Sequence, residues 1–172
     1  MSFGPAPRVP PTSSAEILRI GVRSRRRSVS SSRSFIDHEV RFLVVGGYAL
    51  AVHGHPRATG DLDVWVECTA SNAERVYAAL RVFGAPLGDL RKHDLATPGT
   101  VFQIGLAPFL IDILTRITGV DFAEAWPNRR ETQIDQLVVP VIGRDALLAN
   151  KRALCRLRDL ADVELLERGD EE

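Results

Sequence analysis

The tightest constraint on this chain is a pair of apolar runs with a glycine turn between them. Arg41 to Val45 is rich in branched apolar residues and ends at Gly46-Gly47; Asp61-Leu62-Asp63 opens a second run 14 residues after the second glycine. The first run predicts a buried strand, and the glycine pair predicts a turn into a helix over Tyr48 to His53 that Gly54 closes. In Asp61 to Glu67, Leu62, Val64 and Val66 alternate with Asp61, Asp63 and Trp65, which is the period of a strand with one polar face. A glycine pair lets backbone approach a phosphate, and two carboxylates on one side of a strand hold a cation. Together they are equipment for a metal-bound nucleotide.

Residues two apart on a strand point the same way, so the Asp61 and Asp63 carboxylates project together from Cα atoms about 6.7 Å apart. Such a pair suits divalent cations, which in two-metal phosphoryl transfer lie roughly 3.5 to 4 Å apart. Magnesium fits best, because it prefers oxygen ligands and keeps waters and substrate phosphates in its shell. A third carboxylate is needed to activate a nucleophile. Asp112 is the candidate, since a charge inside Phe109-Leu110-Ile111-Asp112-Ile113-Leu114 is costly unless a metal or partner compensates it. An Asp-x-Asp at a strand start, or a glycine pair after a strand, is by itself ordinary turn chemistry. The order of strand, Gly-Gly, helix, Asp-x-Asp strand and later buried Asp is hard to obtain from folding needs alone.

The rest of the chain supplies the frame. Its 172 residues suffice for one domain with a real core. Ser71, with Glu74 three residues on, predicts the N-cap of a helix whose stripe of Val76, Leu80 and Phe83 ends at Gly84. Pro86 to Pro98 reads as an irregular connection. Val101 to Leu106 and Phe109 to Leu114 read as a hairpin, Leu137 to Val141 as a strand, and Arg144 to Leu166 as two helices with a bend around Arg156 to Asp159. Residues 1–34 hold seven arginines against one acid, Glu16, in a chain of zero formal charge. The tract Arg23 to Ser34, RSRRRSVSSSRS, has too little apolar surface to order itself, so 1–34 is expected to be a mobile basic segment ahead of a domain over 35–168. Within it Ala15 to Val22 carries a short helical pattern.

Cys68 and Cys155 are far apart and lack the spacing of a metal or redox pair, which fits reduced thiols in a cytoplasmic protein. No apolar stretch approaches the roughly 20 residues of a membrane span. His53, His55 and His93 have no accompanying thiol cluster or His-Glu-x-x-His helix, and read as loop residues flanking the nucleotide pocket rather than zinc ligands. Trp65 reads as an interior tryptophan, with base stacking as the alternative.

At Gly46, Gly47, Asp61, Asp63 and Asp112 the chain resembles the nucleotidyltransferases of the DNA polymerase beta superfamily, particularly the minimal and abortive-infection toxin-type members. The stretch GGYALAVHGHPRATGDLDVWV, Gly46 to Val66, looks like their motif, and Asn150-Lys151-Arg152-Ala153 with Arg158-Asp159-Leu160-Ala161-Asp162 looks like their closing helix. The resemblance spans roughly residues 38–167 and implies an α/β (α+β) nucleotidyltransferase fold: a small mixed β-sheet flanked by helices, with further helices at the C-terminus. It implies nucleotide phosphates over the glycine turn and magnesium on Asp61, Asp63 and Asp112. The reaction would move a nucleoside monophosphate from a nucleoside triphosphate, ATP foremost, to a hydroxyl of RNA, protein or a small molecule, in a toxin–antitoxin or defence setting.

Arg57 and Lys151 are candidates to meet the triphosphate. Asp159 and Asp162 read as helix-surface ion pairs. The alternative is a catalytically inactive module on the same fold that binds a nucleotide or a cognate protein partner. Two departures from the pattern bear on that choice: the basic, serine-rich stretch before Arg41, where an amphipathic helix is usual, and Leu157, where a proline is common.

Overall fold

The computed structural model describes residues 30–106, 109–134 and 136–168. Six strands, β1 (Phe42–Val45), β2 (Asp61–Val66), β3 (Val101–Leu106), β4 (Phe109–Leu114), β5 (Arg130–Ile134) and β6 (Leu137–Val141), form one mixed sheet in the order β3-β4-β2-β1-β6-β5. Around it lie α1 (residues 30–37), α2 (Gly46–Val52), α3 (Ala70–Phe83), α4 (Lys92–Leu95), α5 (Phe122–Ala125), α6 (Arg144–Leu154) and α7 (Leu157–Arg168). A mixed sheet flanked by helices is the architecture expected from the sequence. No described helix is long and apolar enough to cross a membrane.

β1 is central and buried along its whole length, which explains its unbroken apolar composition. It runs antiparallel to β2, with Val44 opposite Val64, and parallel to β6. β2 in turn pairs parallel with β4, and the predicted hairpin of β3 and β4 closes that side of the sheet. Residues opposite one another across these strands share a face. Phe42, Val64, Ile104, Ile111 and Ile113 therefore line one apolar face, which packs against Phe35 of α1 and Leu80 and Phe83 of α3 around a cavity of only about 10 Å³. The other face carries Asp61, Asp63, Asp112 and Trp65. Trp65 is buried, with its ring edge-on to Phe122 of α5 at 4.9 Å, as an interior tryptophan.

Several elements depart from the sequence reading. Residues 30–34, the end of the segment expected to be mobile, are helical; Ser31, Ser32 and Ser34 are buried, and Ser34 Oγ donates to the Ala79 carbonyl at 2.7 Å. Small hydroxylated side chains let α1 sit close to α3, and Phe35 anchors it edge-on to Phe42 at 5.4 Å. The pattern at Ala15 to Val22 lies outside the described residues. Thr69, not Ser71, caps α3, accepting from the Asn72 amide at 3.2 Å. Glu74 instead pairs with Lys92 of α4, a four-residue helix inside the expected irregular connection. β5 was not predicted. Gly84 ends α3 at φ 80°, as expected. The C-terminal bend falls at Cys155 and Arg156, where Cys155 adopts a left-handed φ of 53° and separates α6 from α7.

Candidate active site

Strand register assembles the carboxylates. Asp63 stands opposite Asp112 on β4 and opposite Val45, the last residue before the glycine turn, while Asp112 stands opposite Gln103 on β3. Asp61, two residues before Asp63, lies on the same face and is exposed; Asp63 and Asp112 are partly buried. Gln103 Nε2 donates to Asp112 Oδ1 at 2.8 Å.

The glycine pair has a sharper role here than clearance for a phosphate. Gly46 holds φ +65°, and a Cβ there would lie 2.0 Å from Asp63 Oδ2. A Cβ on Gly47 would come within 3.1 Å of Thr59. The missing side chain at Gly46 is thus what lets the Asp63 carboxylate pack beneath the turn, and the two halves of the motif are one packing unit.

Packing there leaves Asp63 electrostatically unsatisfied. Burial, then the Asp112 and Asp61 charges, push its pKa up to about 6, with Lys151 and Arg158 offsetting part of the rise. Three acidic side chains crowd one patch of the sheet without a matching cation among them. Among the described residues no group of three or more His, Cys, Asp or Glu side chains is arranged to hold a metal ion.

A second acidic cluster sits where α6 meets α7. Lys151 is buried, and its Nζ lies 2.8 Å from Asp159 Oδ1 and 2.8 Å from Asp162 Oδ2. Arg156 Nε reaches Asp159 Oδ2 at 2.6 Å. Arg57 Nη2 donates to Asp162 Oδ2 at 3.3 Å, while its Nε lies 3.2 Å from Oδ1 without the alignment of a hydrogen bond. Burial would raise the Asp159 pKa, but the hydrogen bonds and charges of Arg156 and Lys151 outweigh it and hold the carboxyl below its ordinary range. Asp159 and Asp162 are therefore not surface residues; they are buried and compensated. Arg57 and Lys151, read as triphosphate ligands, are both engaged by Asp162.

The histidines do not gather. His53 Nε2 contacts the Ile142 carbonyl at 2.9 Å, at the end of a different strand from those of the carboxylates. Gln103 and Arg158 escaped the sequence reading. Gln103 could have been found from the hairpin register opposite Asp112; Arg158 carries no signal beyond its place beside Asp159.

No protein-family model and no curated protein matches the sequence. Solved structures do match the fold. The antibiotic-resistance factor ANT(2'')-Ia superposes with a TM-score of 0.56 at 13% identity, over 84% of this chain and 83% of that one. The same factor in complex with adenylyl-2''-tobramycin gives 0.54 at 12% identity over 84% and 87%. A Thermotoga maritima protein assigned to the nucleotidyltransferases gives 0.50 at 17% identity over 94% and 97%. The chain has the nucleotidyltransferase fold. Asp61, Asp63 and Asp112 offer only oxygen donors, the type that hard divalent cations take.

Proposed function

We propose that this nucleotidyltransferase-fold protein is a magnesium-dependent enzyme that transfers a nucleoside monophosphate from a nucleoside triphosphate, ATP foremost, to a hydroxyl. The observation that carries the reading is the carboxylate patch: Asp63 opposite Asp112 in strand register, with Asp61 two residues away on the same face, beside a glycine turn that only a residue without a side chain can make. Asp61 and Asp63 are the residues to hold magnesium, with Asp112 as the third ligand. When bound, the cation neutralises charge on the transferring phosphoryl group. Asp112, oriented by Gln103, is placed to take the proton of the acceptor hydroxyl. The Gly46-Gly47 turn offers bare backbone to the phosphates. Lys151 and Arg57, held by Asp162, add positive potential behind them.

Of the acceptor classes, RNA, protein or a small molecule, we favour a small hydroxylated molecule, the class to which tobramycin in the ANT(2'')-Ia complex belongs. A rival reading is a non-catalytic module with a cognate protein partner, as in a toxin–antitoxin pair. It is favoured by one feature, the apolar side chains that α7 leaves exposed: Leu157 at 89%, with Leu160 and Leu165. Pyrophosphate release from ATP and magnesium, measured with panels of aminoglycoside, nucleic-acid and protein acceptors, separates the two. Release that disappears in Asp61→Asn supports transfer; nucleotide binding without release under any acceptor supports the rival.

A further inference from the structure

Among the described residues, the ion pairs around α7 separate cations that are already engaged from Arg158, which is not. Lys151 is fixed between Asp159 and Asp162, Arg57 is tied to Asp162, and Arg156 to Asp159. Freeing Lys151 to reach a ligand would take from two buried carboxylates their one buried cation, leaving Asp159 with Arg156 and Asp162 with Arg57, so it stays where it is. Arg158 is different. It lies four residues before Asp162 on α7, hence on nearly the same side of the helix. It is exposed and makes no hydrogen bond or ion pair with any described residue.

Asp162's contact with Arg57, four residues ahead of Asp61, holds that side of α7 over the entry to β2. Arg158, on nearly that side of the helix, is close enough for its charge to act at Asp63. An exposed guanidinium without a partner among the described residues, within electrostatic range of the carboxylates, is available to a polyphosphate bound there. Its planar fork matches phosphate oxygens, and its exposure lets it reach the end of a triphosphate that projects away from the sheet.

We propose that Arg158 grips the terminal phosphates of the nucleotide, with the Lys151–Asp159–Asp162–Arg57 chain acting as the scaffold that aims it. The proposal rests on the nucleotidyl-transfer reading. It is tested by calorimetric titration of the full chain with magnesium and α,β-methylene-ATP, and separately with AMP. The proteins compared are wild type, Arg158→Ala, Arg158→Lys, and Arg81→Ala on α3 as a control for loss of surface charge. A thermal melt of each checks that the fold is retained.

The expected result is a dissociation constant for the triphosphate raised about 10- to 100-fold in Arg158→Ala, partly recovered in Arg158→Lys and unmoved in Arg81→Ala, with AMP binding changed by less than about threefold. Unchanged triphosphate binding in Arg158→Ala overturns the assignment and leaves the transfer reading intact. Equal weakening of AMP and triphosphate overturns the assignment to the terminal phosphates. A wild type that binds neither ligand overturns the transfer reading, and this inference with it.

Discussion

The two acidic clusters of this protein hold the same kind of side chain in opposite electrostatic states. Asp159 and Asp162 are buried more deeply than Asp63, yet each has its cations built in. Asp61, Asp63 and Asp112 lie side by side on adjoining strands, and Gln103 donates a hydrogen bond to Asp112. A chain able to supply Lys151, Arg57 and Arg156 to one cluster leaves the other in deficit. Burial of charge is tolerated where it is paired, so the proposal of a bound cation at Asp61, Asp63 and Asp112 predicts that the two clusters respond in opposite ways to loss of a carboxylate.

The largest expected effect breaks the open cluster. Asp63→Asn removes a proposed magnesium ligand and should lower kcat/KM for nucleotidyl transfer by about 10³-fold or more, several kcal/mol of transition-state stabilisation. Initial rates of pyrophosphate release at saturating magnesium measure it. Transfer within tenfold of wild type would mean that the deficit at Asp63 has no catalytic use.

Next in size is the closed cluster. Lys151→Met leaves Asp159 and Asp162 with only Arg156 and Arg57 as cations and should cost about 3 kcal/mol of stability, read by urea denaturation. A double change to Lys151→Met with Asp159→Asn should recover part of that loss, because one buried negative charge is removed. If the single variant is as stable as wild type, the buried pairing is not what holds α7 in place.

Gly46→Ala joins a steric and a conformational fault at the boundary of the open cluster. Its Cβ would fall 2.0 Å from Asp63 Oδ2, at a φ of +65° that side chains disfavour. The expected cost is about 2–3 kcal/mol, together with loss of magnesium response as Asp63 is displaced. Gly54→Ala is the comparison, with positive φ but open space around its Cβ, and should cost only about 1 kcal/mol.

How these clusters read in the sequence differs for a physical reason. The open cluster was legible because its members lie on strands, where a period of two fixes the face and the apolar neighbours announce the register. Gly46 was legible as a turn, but its contact with Asp63 is a tertiary fact. The closed cluster was misread because Lys151 and Asp159 are eight residues apart. On a continuous helix that separation is about 12 Å, and only the left-handed turn at Cys155 folds α7 back to close it to 2.8 Å. β5 was missed because Arg130 to Ile134 is an edge strand with one apolar residue in five, so it has no alternation to read. α1 was missed because three buried serines look like a low-complexity tract until Ala79 receives a hydroxyl from one of them.

The smallest effect tests the sign of each cluster's response to pH. Asp63 has a folded pKa near 6 against an ordinary 3.8, so the folded state holds its proton more tightly. Its contribution is intact below about pH 4, and is lost as pH rises to about 6 and the carboxylate must ionise in the crowded patch. Asp159, held below its ordinary range, behaves oppositely: its contribution is present above that range and lost on acidification. Stability of the metal-free protein should therefore fall by about 1–2 kcal/mol between pH 4 and 7 on account of Asp63, less than the full shift because the group is partly open to solvent. Asp63→Asn should remove that fall and melt higher than wild type at pH 7, while still losing stability in acid through Asp159. Magnesium should raise the melting temperature of wild type at pH 7 and leave Asp63→Asn nearly unmoved. A variant that is less stable than wild type at pH 7 would show that the carboxylate is held by contacts stronger than the repulsion around it, and the contrast between the two clusters would collapse.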